Sequence, residues 1–134
     1  PSLQSLNPDK LVDTPLLDLC PEEQWVGGNE AHLLSNGQIG VLGHIARFGE
    51  KGERHYHSMA FALDPTSGTH SPCEIIARRK DFPSGPSKRP DLEDVIFSGG
   101  LLRLPDRTAR LFAGLSDAEA GWLDIPDPFI QYEN

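Results

Sequence analysis

The stretch Ala31-His32-Leu33-Leu34-Ser35-Asn36-Gly37-Gln38-Ile39-Gly40-Val41-Leu42 decides how this chain folds. Two apolar runs flank Ser35-Asn36-Gly37, and Asn-Gly between apolar runs is a strong hairpin signal because both residues tolerate the left-handed backbone of a tight turn. The second run continues through Gly43-His44-Ile45-Ala46-Arg47-Phe48 into the glycine-bounded turn Gly49-Glu50-Lys51-Gly52-Glu53, and the next strand is read from Arg54 to Leu63. After Asp64-Pro65-Thr66-Ser67-Gly68, which is turn chemistry, a short strand is expected from Cys73 to Arg78. Pro83, Pro86 and Pro90 make 81–91 irregular. Asp94 to Phe97, continued by Leu101-Leu102-Arg103 after Gly99-Gly100, turns at Pro105-Asp106-Arg107 and returns as Ala109 to Gly114. Ser116 and Glu119 match a capping box, so 116–122 reads either as a short helix or as a turn into a strand.

Outward from this body, Pro8, Pro15 and Pro21 interrupt Leu16-Leu17-Asp18-Leu19. Residues 1–24 therefore read as a connecting or edge segment, and 25–134 as the folded part. The fold class is all-β, an antiparallel meander of seven or eight short strands. Its opening on Pro1 suggests that a longer polypeptide has been processed or truncated, and we favour truncation.

Twenty acidic against twelve basic side chains give a net charge of -8, which repels a polyphosphate backbone, so nucleic acid is not expected as a partner. No apolar run approaches the roughly 20 residues that cross a bilayer, so no membrane association is expected. Cys20 and Cys73 have neither the spacing of a zinc knuckle nor the density of a disulfide scaffold; both are read as reduced thiols of a cytoplasmic protein.

Several side chains could carry chemistry. His55 and His57, two apart on a strand, share a face, but no spaced set of further ligands completes a metal site, and none is expected. His44 lies on an apolar run, where its ring must be paired or must face a cavity. Arg78, Arg79, Lys80, Lys88 and Arg89 form a basic cluster that either holds phosphate or is a solvated face. Asp91, Asp94, Asp117 and Glu119 are the candidate carboxylates for glycoside chemistry, with spacings that do not choose among them.

Four ordered motifs, Trp25-Val26-Gly27-Gly28-Asn29-Glu30, 36–46, 88–100 and Gly114-Leu115-Ser116-Asp117-Ala118-Glu119, resemble one family. It is the group of β-1,2-mannosyltransferase/phosphorylases of mannogen turnover with their uncharacterised bacterial and fungal relatives, similar in turn to the β-mannoside phosphorylases. The resemblance covers about Trp25 to Phe129 and implies a five-bladed β-propeller, of which this chain is the C-terminal two blades. It implies inorganic phosphate as co-substrate, no other cofactor, and a mannose oligosaccharide or mannose 1-phosphate as substrate. By the family's pattern His44, Tyr56, Lys88 and Arg89 would bind phosphate, and Asp117, Asp94 and Asn29 would bind sugar. The family's tyrosine before the histidine is Gly43 here, and no position carries its catalytic aspartate, so the chain alone is expected to be incomplete. It would be completed by the missing N-terminal blades, or would self-associate through its sheet edges. The alternatives are a non-catalytic carbohydrate-binding or scaffold fragment, and a glycoside hydrolase of the same fold.

Overall fold

A computed structural model of the chain describes residues 18–134. The expected connecting segment therefore lies outside the described residues as far as residue 17, and Asp18 to Glu23 carry no strand. Seven strands follow: β1 (Gln24–Leu33), β2 (Ile39–Phe48), β3 (Arg54–Leu63), β4 (Glu74–Ala77), β5 (Asp94–Arg103), β6 (Thr108–Leu115) and β7 (Glu119–Pro126). With short 3-10 turns and no α-helix among the described residues, the protein is all-β, as its turn chemistry implies. The sheet is open. Its order is β1-β2-β3-β5-β6-β7, with β4 also paired to β3.

The decisive hairpin forms as read. Gly37 adopts φ 85°, and Asn36 Oδ1 accepts a bond from the Gln38 N–H at 3.1 Å. The segment whose reading stayed open is a turn into a strand: Ser116 and Asp117 both sit at φ 53°, and β7 begins at Glu119. A capping box needs helical backbone after the cap, and two successive left-handed residues exclude it.

Two antiparallel groups, β1–β4 and β5–β7, meet where β5 runs parallel to the start of β3, pairing His55 with Asp94 and Tyr56 with Val95. β4 takes the same edge of β3 further along, at Ser58 to Ala60. Between the groups lies the core, built from Leu34, Leu42, Ala60, Ile96, Leu111, Leu115 and Phe129 among others. A polar pin crosses it: Ser98 Oγ donates to the Gly43 carbonyl at 2.7 Å, so Ser58 Oγ, also at 2.7 Å, donates to Ser98. Both serines are buried, and the pin satisfies polar groups that would otherwise cost about 1–3 kcal/mol each.

The C-terminal stretch closes the open end of this core. Arg103 of β5 donates to Asp127 Oδ2 at 2.7 Å and to Glu133, while Glu133 also accepts from the Ser35 N–H at 3.1 Å and Asn36 Nδ2 donates to the Tyr132 carbonyl at 2.6 Å. Hydrogen bonds from Ser35 and Arg103 hold the Glu133 carboxyl down at about 2. A carboxyl depressed in the folded state stabilises it above the unfolded value, and that contribution is lost as pH falls toward the folded value. The melting temperature is therefore expected to drop as pH is lowered from about 4.5 towards about 2, and Glu133→Gln to flatten that part of the profile. A Glu133→Gln profile superimposable on the wild type would refute the assignment.

Candidate functional site

Because opposite residues of an antiparallel pair share a face, the register places Trp25, Gly27, Ala46, His44, Tyr56 and Ser58 on one side of the β1–β3 sheet. Arg54 and Phe48, paired to each other, extend this face. Its aromatic rings support one another: Trp25 meets Tyr56 edge-on with centroids 5.8 Å apart, and Tyr56 stacks on His44 at 5.9 Å. Phe97, arriving on β5, lies 4.7 Å from His44. Where this face meets β5 and β6, Arg54, Tyr56, Arg89, Leu92, Val95, Phe97, Gly114 and Asp117 enclose a cleft of about 340 Å³.

Asp117 reaches this cleft because its neighbour is firmly held. Ser116 is buried in a left-handed conformation that few side chains adopt, and four hydrogen bonds fix it. Its N–H donates to the Val95 carbonyl, its carbonyl accepts from Lys88, and its Oγ accepts from Arg79 Nε and donates to the Glu93 carbonyl. Asp117, next in the turn, points to solvent and pairs with Lys88 Nζ at 2.7 Å. Opposite, the Asp91 carboxylate is shared by two guanidinium groups: Arg89 binds it through Nε at 3.0 Å and Nη2 at 3.2 Å, and Arg54 binds it from β3. Partial burial pushes the Asp91 carboxyl up, but Arg89 and Arg54 outweigh it and hold it below the usual carboxylate range. Three cations, Arg54, Lys88 and Arg89, thus face two carboxylates, Asp91 and Asp117, leaving one positive charge unmatched at the mouth of the cleft.

His44 does not line the cleft; it backs Tyr56 and Phe97, which do. Its Nδ1 is 2.9 Å from Asn29 Oδ1, and since an amide oxygen only accepts, Nδ1 carries the proton. Burial lowers the pKa of His44, so the ring is held neutral with Nε2 as an acceptor. Two glycines make room for it. A Cβ on Gly27 would stand 2.5 Å from the His44 ring, and one on Gly43 would stand 2.2 Å from the Gly27 carbonyl oxygen. No side chain fits at position 43 without the two strands moving apart.

The structure brings together Tyr56, Lys88, Arg89 and Asp117, with His44 and Asn29 as an adjoining pair. Asp94 stands apart: it accepts from His55 at 2.7 Å and lines a separate cavity with Arg79, Lys80 and Glu93. The basic cluster likewise divides. Arg79 is buried and spent on Ser116 and the Pro83 carbonyl, and Arg78 opens on the opposite face of β3. Arg54 escaped the sequence reading. As the first residue of a strand it looks like an edge charge, and only its alternation with Tyr56 could have placed it. No group of three or more metal-ligating side chains occurs among the described residues, and both cysteines are free thiols. None of the helices among these residues is long and apolar enough to cross a membrane.

Residues 1–131 match the family described as protein of unknown function (DUF1861). No curated protein matches the chain significantly. Among solved structures, it is similar to a mannose phosphorylase from Leishmania mexicana in complex with phosphate ion, with 31% identity and a TM-score of 0.90 over 99% of this chain and 43% of that one. A hypothetical protein from Leishmania major is 30% identical with a TM-score of 0.89, over 99% of this chain and 44% of that one. A GDP-Man-dependent mannosyltransferase from Leishmania mexicana is 26% identical with a TM-score of 0.87, again over 99% and 44%. The chain therefore spans less than half the length of the structures it matches.

Proposed function

Since the chain belongs to the family described as protein of unknown function (DUF1861), we propose that it forms part of a mannoside-processing enzyme whose phosphate is held at the Arg54, Tyr56 and Arg89 cleft. The observation that carries this reading is the convergence of Arg54, Tyr56, Arg89 and Asp117 on one cleft, with Lys88 paired to Asp117, in a chain similar to a phosphate-bound mannose phosphorylase. In a five-bladed propeller the two groups β1–β4 and β5–β7 would be two blades, and two of five is about two fifths, close to the 43% of the phosphorylase that the chain covers.

In this proposal inorganic phosphate attacks the anomeric carbon of a β-mannoside, the glycosidic oxygen leaves with a proton, and mannose 1-phosphate is released. No residue of this chain is assigned as the proton donor. The guanidinium groups of Arg54 and Arg89 neutralise phosphate charge, and the Tyr56 hydroxyl donates a hydrogen bond to it. His44 acts through Tyr56 and Phe97, whose rings it backs as a neutral imidazole. Asp117 accepts sugar hydroxyls, and Phe97, 46% exposed, offers an apolar face to the ring. Asn29 sets the His44 tautomer, and Asp94 would reach sugar only from the neighbouring cavity.

The test is to supply the complete protein with a β-1,2-mannoside with and without phosphate. Phosphate-dependent release of mannose 1-phosphate is expected; release of free mannose independent of phosphate would refute the proposal. The similarity to a GDP-Man-dependent mannosyltransferase favours a second reading, transfer from a nucleotide sugar, which the same assay detects as GDP release from GDP-Man.

A further inference from the structure

The face of the β1–β3 sheet opposite His44 carries a second concentration of nitrogen-bearing groups. The register puts Gln24, Arg47 and His55 in one row across β1, β2 and β3, and Val26, Ile45 and His57 in the next. With Ile75 and Arg78 from the β4 side, all of these but Val26 line a pocket of about 240 Å³. At about 30 Å³ for each water, that volume admits a phosphate group with part of its hydration shell.

The charges in this pocket do not balance. No carboxylate lines it, and neither Arg47 nor Arg78 is within ion-pair distance of one among the described residues. Three acidic groups lie near it: Asp94 and Glu53 bind His55 at Nδ1 and Nε2, and Asp81 accepts from the backbone N–H of Arg78 at 2.7 Å without pairing with its guanidinium. His57 has no partner at its buried Nδ1. Burial lowers the pKa of His57; Asp94 opposes this, while Arg78, His55 and Arg47 add to it. Two guanidinium groups reaching one hollow from different strands suit a tetrahedral oxyanion, which accepts forked hydrogen bonds from more than one direction.

We propose that this pocket is a second oxyanion site that binds a phosphate group through Arg47, Arg78 and His57, with His55 held in place by Asp94 and Glu53. It is independent of the mannoside reading, because it lies on the other side of the sheet from the Tyr56 cleft and shares no lining residue with it. The phosphate group belongs either to inorganic phosphate or to a phosphate monoester.

The imidazole signals of His55 and His57 in the complete protein, followed by NMR during titration with inorganic phosphate and separately with glycerol phosphate, decide the matter. Both rings are expected to shift saturably at millimolar ligand, with the His57 titration midpoint rising as the anion binds. Arg47→Gln with Arg78→Gln is expected to weaken this response at least about tenfold, the loss of a charge-assisted hydrogen bond. The pair Arg54→Gln and Arg89→Gln, which disables the other cleft, should leave it intact. Saturation by both ligands assigns the site to monoesters as well as free phosphate, and saturation by inorganic phosphate alone assigns it to the free ion. Signals that stay still with both ligands, or that shift equally in the Arg47/Arg78 variant, would overturn the proposal.

Discussion

Gly43→Tyr is expected to prevent this chain from folding, and Gly43→Ala to destabilise it by more than about 4 kcal/mol, the range reserved for changes with no local relaxation. The added Cβ would stand 2.2 Å from the Gly27 carbonyl oxygen and 2.8 Å from the end of the Met59 side chain. Methionine can move aside. A backbone carbonyl paired across the strand cannot, so β1 must part from β2 at the level of His44, taking with it the Gly43 carbonyl that Ser98 bonds. Urea unfolding followed by circular dichroism measures the effect, with Gly27→Ala as a comparison whose clash is with a side chain. A Gly43→Tyr protein unfolding at the wild-type midpoint would show that the pairing of Gly27 with His44 and of Gly28 with Gly43 is wrong.

His44→Ala and Arg89→Gln are expected to lower the phosphate-dependent kcat/KM of the complete enzyme by about 10²- to 10³-fold, the usual cost of removing a preorganised polar group from such a site. The two should differ in kind. Arg89 is a charge at the cleft, so its loss should raise the KM for phosphate; His44 stands behind Tyr56 and Phe97, so its loss should fall on kcat as well. Because His44 works in its neutral form, activity should decline as pH falls through its lowered pKa, and His44→Gln should remove that acid limb while keeping much of the rate. An unchanged acid limb in His44→Gln would exclude the ring from the reaction.

Local chemistry made part of this architecture readable. Asn36-Gly37 announces its hairpin because a tight turn depends on a few adjacent residues, and the alternation of β2 and β3 then places His44 and Tyr56 on a common face. The rest depends on partners far apart in the chain. Nothing near Asp94 signals that it runs beside His55, 39 residues earlier, so its separation from Asp117 was not legible. Ser116 and Asp117 carry no mark of left-handed backbone; the fourfold bonding of Ser116 imposes it. The basic run at 78–89 looks like one patch because neighbours in sequence resemble neighbours in space, yet the 3-10 turn at Arg79–Asp81 sends Arg78 and Arg79 to different cavities.

The divided edge of β3 also imposes an order of assembly on a chain emerging from the ribosome. β4 follows closely and covers Ser58 to Ala60, while His55 and Tyr56 must wait for Asp94 and Val95. Until those arrive, a short stub of backbone donors and acceptors stays open to any passing strand. Closing it is also what brings Arg89, Val95 and Asp117 up to Arg54 and Tyr56. The Tyr56 cleft is therefore complete only once β5 and the turn after β6 have joined the sheet.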